Sequence, residues 1–328
     1  MDNVVNILIS KYGITPSVIL SVKGGWATKA AYRVTNNDGI DYFVKVYDRH
    51  LPTIRSITDR IEKYMPVLDW LATSTSLQGR ILTPVRSLEK TYKINTEHDT
   101  YVIFLYVDGY VTGVDNMTEK QTIDLAGILA QLHTISESIP IETHGLEEDL
   151  SLLFCDNLIE FLNNPETENK DLTALIGPHV SMLKAAVKEV LKLRDTKRIG
   201  YSPLVLCHGD AHGNNVIQSE KLVLADWDDL RWAPVEADLF ISFLHKKHSN
   251  AFLSAYCKAR GNYEINYDLL YFYKLRRHIE DIWVDIERII KESPSETELS
   301  TLLIWISNGI KYIQELGCVK NHAEKYIT

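Results

Sequence analysis

Cysteine is scarce in this sequence and does not cluster: the four stand far apart at Cys155, Cys207, Cys257 and Cys318. No Cys-x-x-Cys pair or Cys/His group occurs. A disulfide framework or structural zinc site is therefore not expected, and a reducing cytosol is the expected compartment. Long apolar runs are also missing. Nothing approaches the roughly 18 consecutive apolar residues of a membrane span. The opening MDNVVNILISKYGI carries the acidic Asp2 and no basic stretch, so neither a span nor a signal peptide is expected. Positive charge is not in excess either. A net charge of -9 sets the chain against coating nucleic acid. That acidity suits a cationic substrate, and it equally suits plain solubility. Internal repeats and low-complexity tracts are absent, which sets aside solenoid and disordered architectures.

What is there is ordinary globular sequence. The 328 residues, 45% hydrophobic and 24% charged, suit two domains or lobes, each with its own core. Residues 3–12 carry apolar side chains at helical spacing, with Gly13 as a stop. Residues 18–22 and 31–35 read as a hairpin around the small-residue turn Lys23-Gly24-Gly25-Trp26-Ala27-Thr28. Such a turn can be an ordinary hairpin or can bring backbone N–H groups to phosphates. Residues 41–47, DYFVKVY, form an alternating strand that contains Lys45. On pattern alone Lys45 is either solvated or aimed at an anion. Residues 56–72 read as a helix interrupted by Pro66 and containing Glu62. Strands are expected at 81–88, 90–94 and 100–107, the last almost wholly apolar.

From there the chain turns helical. Thr118-x-x-Gln121 is a capping box opening a helix to about His133. A stripe runs from Leu150 to Leu162, residues 163–171 read as a loop, and 172–194 as one long helix. Further helices are expected near 236–247, 249–259, 266–291 and 296–315. Within this half lies the most informative stretch, VLCHGDAHGNN at 205–215, followed by an apolar run into Asp226-Trp227-Asp228. The pattern is strand, tight polar loop, strand, acidic turn. Such a loop can hold one carboxylate as a base and offer an Asn and a second carboxylate to a metal. A lone His-Gly-Asp would equally be a satisfied loop; the full spacing says more.

The order of these features resembles the aminoglycoside phosphotransferase family of the protein-kinase-like fold. His208, Asp210 and Asn215 meet its H-x-D-x(4)-N pattern, Asp226 its acidic turn, and PVEADLF, with Asp238, its downstream segment. The resemblance covers residues 14–245, and DWDDLRWAPVEADLF looks most like the spectinomycin phosphotransferase subgroup. It implies an α+β, bilobal kinase-like fold. A small antiparallel-sheet N-lobe would occupy residues 1–105, a connector 106–116, and a large, mainly helical C-lobe 117–328.

The resemblance also implies roles. Asp210 orients or accepts the proton of the acceptor hydroxyl, with His208 and Asp238 supporting the loop. Asn215 and Asp226 hold Mg²⁺ through hard oxygens. Lys45 pairs with the α/β-phosphates of ATP and is held by Glu62, with Asp59 and Asp69 as rivals for that task. Gly24, Gly25 and Thr28, with Lys29 beside them, lie at the phosphates. Phe104 takes the gatekeeper-like position, and the backbone of Leu105–Val107 meets the base. GTP stays open as donor because Phe104 is large. Asp228 is either a supporting carboxylate or solvated. Gly213, where many relatives have Pro after the second His, keeps the turn possible.

The expected partner is a small-molecule hydroxyl acceptor, an aminoglycoside or spectinomycin-like aminocyclitol, with no nucleic acid and no membrane. The oligomeric state is left open by the sequence, between a monomer and a weak dimer. Asp281 and Asp285, with Trp283 and Tyr273 as platforms, are candidate contacts for a cationic acceptor. The alternatives are a kinase of a small metabolite such as choline or homoserine, and a nucleotide-binding regulator without activity. A protein kinase is disfavoured, because the twelve positions from Asp226 to Asp238 are too few for a peptide-binding activation segment.

Overall fold

The computed structural model describes residues 2–25, 27–114, 116–165, 168–195, 202–241 and 247–320. Trp26 of the glycine turn and residues 242–246 of an expected helix lie outside them. The strands are β1 (Pro16–Val22), β2 (Ala30–Asn36), β3 (Asp41–Asp48), β4 (Lys93–Asn95), β5 (Asp99–Leu105), β6 (Tyr110–Val111), β7 (Val205–Cys207), β8 (Val216–Gln218), β9 (Leu222–Leu224) and β10 (Arg231–Ala233). The helices are α1 (Asp2–Ile7, continued by a π turn to Tyr12), α2 (Pro52–Ser74), α3 (Glu119–Ile135), α4 (Leu153–Asn163), α5 (Lys170–Ile176), α6 (Val180–Asp195), α7 (Glu236–Leu239), α8 (Ser249–Ala259), α9 (Tyr267–Lys291) and α10 (Glu296–Lys320).

The chain divides into two compact units: Met1–Glu147 with Leu204–Glu264, and Glu148–Pro203 with Ile265–Thr328. The expected connector lies inside the first unit, where Tyr110 and Val111 pair with Gln218 and Ile217 of β8. Sheet, connector and catalytic-type loop therefore share one unit.

Its main sheet is antiparallel, in the order β1-β2-β3-β5-β4. Alternation turns Val34, Val44, Val46, Tyr101 and Ile103 into one core with Leu8 and Tyr12. Central placement decides the fate of Lys45, which stands opposite Ala31 on one side and Val102 on the other. Its side chain is consequently buried, 7% exposed, so it is not a solvated strand residue. The segment 81–88 makes only isolated bridges, Ile81 to Leu224 and Pro84 to Phe104, rather than the expected strand. The Pro84 bridge is flanked by the Val85 N–H on Ile103 O at 2.8 Å and the Leu105 N–H on Thr83 O at 2.9 Å.

Helix α2 starts with Pro52 in the first turn, where its fixed φ helps and its missing N–H costs nothing. It runs unbroken past Pro66. Its buried stripe of Ile54, Thr58, Ile61, Tyr64, Met65, Leu68 and Leu71 follows the helical period, leaving Glu62 on the exposed side. The capping box at α3 forms as expected, with Thr118 accepting from the Gln121 N–H.

In the second unit, the expected helix 172–194 is two, α5 and α6, separated by a 3-10 turn at Gly177–His179 that contains Pro178. The expected loop is shorter, because Asn169 caps α5 at the Leu172 N–H. Helix α9 packs on α4, α6 and α10. It is tied to Glu148 by Arg276 Nη1 at 2.5 Å and Tyr273 Oη at 2.6 Å.

Gly213 is required for a reason other than turn conformation. It is not among the residues with positive φ. A side-chain carbon there would instead overlap the Gly113 carbonyl, while Thr112 Oγ1 and Gly113 N–H both donate to Gly213 O, at 2.8 and 3.1 Å. Gly213→Ala is expected to cost about 2–3 kcal/mol through overpacking. Urea unfolding checks it, and a loss under about 0.5 kcal/mol would show that this contact gives way freely.

Candidate functional site

The loop after β7 is built from beneath by Asp238. One of its carboxylate oxygens accepts from the His208 N–H and from His133 Nε2, both at 2.9 Å, and the other from the Gly209 N–H at 2.6 Å. His133 reaches on to Tyr256 Oη at 2.7 Å. Burial alone would push Asp238 up, but the His133 hydrogen bond, with His208 and the Gly209 amide, holds it below the usual carboxylate range. A buried His133–Cys207–Asp238 group has ligand atoms close enough for a metal. Its polar atoms are already engaged, since Cys207 Sγ points at the carbonyls of Ala233 and Pro234.

His208 is fully buried, with Nε2 at 2.9 Å from the Ala225 carbonyl and Nδ1 accepting the Asp210 N–H at 3.2 Å. These contacts fix the tautomer with the proton on Nε2. They use both nitrogens to shape the loop, so His208 is not presented for proton transfer. Gly209 lies at φ +83°, the left-handed region that favours glycine.

Asp210 is half-buried. Asn215 Nδ2 donates both to its carboxylate and to its carbonyl, each at 2.8 Å. His212, not singled out in the sequence, stands 3.3 Å from the same carboxylate oxygen. With both amide hydrogens of Asn215 committed, Oδ1 is its remaining atom for a cation.

The acidic turn completes the group. Asp226 adopts φ +64°, a region Asp tolerates better than most residues. Its Oδ1 receives Lys45 Nζ at 2.5 Å. Burial would lower the Lys45 ammonium, but Asp226, with Tyr47 and Asp228, more than offsets this and raises it well above the ordinary lysine value. Asp226 Oδ2 faces the glycine turn, where a side-chain carbon on Gly25 would stand 3.9 Å away. Asn215 Oδ1 and the Asp226 carboxylate are hard oxygen donors, as Mg²⁺ prefers. Trp227, 2% exposed, pins the turn through its Nε1–H to Leu224 O at 3.0 Å and an edge contact with His208.

Glu62 departs from its expected role. It accepts from the N–H groups of Tyr92 and Lys93, at 2.9 and 3.0 Å, and so anchors β4 rather than Lys45. Its rivals do not replace it: Asp59 is exposed, and Asp69 is bound by Arg86 and Tyr92 Oη. From α2 it is Tyr64 that reaches the site, donating to Asp228 Oδ1 at 2.5 Å, with Tyr47 Oη at 3.4 Å from Oδ2. Asp228 is therefore not simply solvated. Burial raises its carboxyl and the Asp226 charge adds to this, while Lys45 and the two tyrosine hydroxyls oppose the rise. Tyr64 carries no signal in sequence, because a tyrosine in an apolar helical stripe reads as core.

In the glycine turn, Thr28 donates its N–H to Gly25 O at 3.1 Å and packs over Gly24, where a side-chain carbon would clash with it. Lys29 is not turned to a phosphate; its ammonium sits 2.8 Å from Asp99 and 3.6 Å from Asp48. Phe104 is buried, with its ring centroid 5.9 Å from Lys45 Nζ. Of the backbone at 105–107, the Leu105 N–H is taken by Thr83 O and the Tyr106 N–H by Asp41 O. Of these three amides, the Val107 N–H has no backbone acceptor among the described residues.

The remaining candidates lie in the second unit. Asp281 is exposed and paired with Arg277 at 2.8 Å, and Trp283 is half-buried. Asp285 is 8% exposed. Tyr273, read as a platform, is instead a core residue edge-on to Phe272 with its hydroxyl on Glu148.

An antiparallel sheet carrying a buried lysine, followed by this loop and acidic turn and a mainly helical remainder, defines the protein-kinase-like fold class. A model of the phosphotransferase enzyme family matches residues 18–273. The chain belongs to that family, the aminoglycoside phosphotransferases. Spectinomycin phosphotransferase APH(9)-Ia, solved with ADP and spectinomycin, is similar in structure, with TM-score 0.72 and 22% identity over 96% of this chain and 93% of that one. The amicoumacin kinase hAmiN, solved with AMP-PNP, Ca²⁺ and its antibiotic, gives 0.66 and 14% over 95% and 93%. An APH(2") enzyme, solved with GDP and kanamycin, gives 0.63 and 14% over 97% and 99%. Comparison with curated sequences returns no match. No helix among the described residues is long and apolar enough to cross a membrane.

Proposed function

We propose that this phosphotransferase moves the γ-phosphate of ATP to a hydroxyl of a small molecule, an aminoglycoside or spectinomycin-like aminocyclitol. The observation that carries the reading is the pair of charges at one place: Lys45 Nζ on Asp226 Oδ1 at 2.5 Å, in the same unit as an Asp210 held by Asn215. Phosphoryl transfer proceeds through a loose, highly charged transition state, so catalysis is mainly placement and charge stabilisation. Residues 1–105 bind the nucleotide, 106–116 connect, and 117–328 carry the acceptor site. Lys45 binds phosphate oxygens, Asn215 and Asp226 hold Mg²⁺, and Asp210 orients the acceptor hydroxyl. Mg²⁺, which Asn215 and Asp226 would hold, would supply positive charge that offsets the charge of the phosphates.

Purified protein with Mg·ATP is expected to phosphorylate a member of a panel of aminoglycosides, spectinomycin and small amino alcohols. No turnover on any acceptor, together with no nucleotide binding by calorimetry, would reject the reading. Turnover of an amino alcohol alone would move the acceptor to small metabolites.

Asp285 of α9 is almost fully buried. Burial, with Asp281 adding and Arg288 opposing, pushes its carboxyl up to about 7. In the unfolded chain it titrates near 3.9. The folded state therefore holds the extra proton between these values, and stability falls as pH rises from about 4 to about 7. Asp285→Asn removes that loss. We expect it to stabilise the protein by about 2–4 kcal/mol at pH 8 and by little near pH 4. Thermal unfolding at both pH values checks this; equal gains would show that ionisation is not involved.

A further inference from the structure

We infer that Tyr64, and not the helix carboxylate Glu62, is the positioning residue through which α2 sets the metal-holding turn. This rests on the reading of Lys45 and Asp226 as the groups that handle phosphate and metal. Contacts run from the sheet and α2 into the segment 228–230, among them an ion pair of Arg60 with Asp229 at 3.5 Å. Tyr64 Oη donates to Asp228 Oδ1 at 2.5 Å, and Tyr47 Oη lies 3.4 Å from Oδ2. Arg60, one turn before Tyr64 on α2, donates to the carbonyls of Asp228 at 3.3 Å and Leu230 at 2.9 Å. Tyr64 and Tyr47 are each 1% exposed, so these contacts are shielded from competing water.

The geometry explains what such a latch does. Asp226 stands in a left-handed conformation, two residues before the latched carboxylate, with a buried Trp227 between. Holding Asp228 from one side and Trp227 from the other leaves Asp226 few ways to turn away from Lys45. Glu62 has no part in this, because its carboxylate holds the amides of Tyr92 and Lys93. A helix tied to the turn through Tyr64 couples the glycine-turn half of the unit to the metal ligand without a lysine–glutamate pair.

The test uses the full-length protein and two variants, Tyr64→Phe and Glu62→Gln. Tyr64→Phe keeps the ring in the core and removes only the hydroxyl. In hydrogen exchange of the nucleotide-free protein, Tyr64→Phe is expected to speed the amides of 226–230 about tenfold while the main sheet stays at the wild-type rate. The Mg²⁺ concentration for half-maximal turnover is expected to rise several-fold, with KM for ATP unchanged at saturating Mg²⁺. Glu62→Gln is expected to change exchange only around 92–95. Wild-type exchange at 226–230 in Tyr64→Phe would overturn the inference. So would faster exchange spread over the whole sheet, which is the mark of a merely structural residue. The exchange arm needs no turnover, so a protein inactive on every acceptor would count against the proposed function and leave this result standing.

Discussion

Replacing Asp210 by alanine should cut turnover by about a thousandfold, which is about 4 kcal/mol of transition-state stabilisation. Mg·ADP affinity should stay within a few-fold of wild type. The two outcomes separate because Asp210 has no share in the Lys45–Asp226 pair and is tied to Asn215 instead. In the proposed reaction its task is to orient the attacking hydroxyl. Asn215 retains one of its two bonds in the variant, the one to the Asp210 carbonyl at 2.8 Å, so its side chain keeps its place. Single-turnover kinetics with calorimetry checks the prediction. A loss of less than about tenfold would remove Asp210 from the reaction, since positioned acid–base groups contribute more than that. A parallel loss of nucleotide binding would make it a structural residue.

Asp238→Ala should be the most damaging change to stability, at about 3–5 kcal/mol. It leaves three buried donors without an acceptor: the His208 and Gly209 N–H groups and His133 Nε2. An orphaned buried polar group costs about 1–3 kcal/mol each, and partial relaxation brings the sum into that range. The effect should depend on pH. Asp238 is held below the usual carboxylate range in the folded state, where the His133 hydrogen bond and the loop amides outweigh burial. Its contribution is thus fully present above its unfolded value near 4 and is lost as pH falls through the lower folded value. Denaturant unfolding from pH 7 down to pH 3 should show the wild type converging on the variant at the acid end. A gap that stays constant would mean that ionisation of Asp238 plays no part.

Particular residues show why some of this was legible in the sequence and some was not. His208, Asp210, Asn215 and Asp226 sit within 19 positions of one another, so short-range spacing carries their arrangement. Lys45 was legible only as a lysine in an apolar strand; its burial follows from β3 lying between β2 and β5. Glu62 misled because sequence order gives a helix carboxylate but not its azimuth. The apolar stripe of α2 turns Tyr64 inward and leaves Glu62 at the edge of β4. Segment 81–88 reads as a strand on composition, but its pairing is split between Leu224 at Ile81 and Phe104 at Pro84, one bridge to each.

By itself the sequence determined the order of elements and the chemistry of the loop. Both are local properties, set by periodicity, capping and the fixed spacing of polar residues along a short turn. Tertiary structure decided which partner each charge has: Lys45 with Asp226 across 181 positions, Tyr64 with Asp228 across 164, and Asp238 with His133 across 105. The physical reason is that a buried charge or hydroxyl must be paired. Its partner is whichever group the packing of distant segments brings within hydrogen-bond reach, and no local pattern encodes that distance.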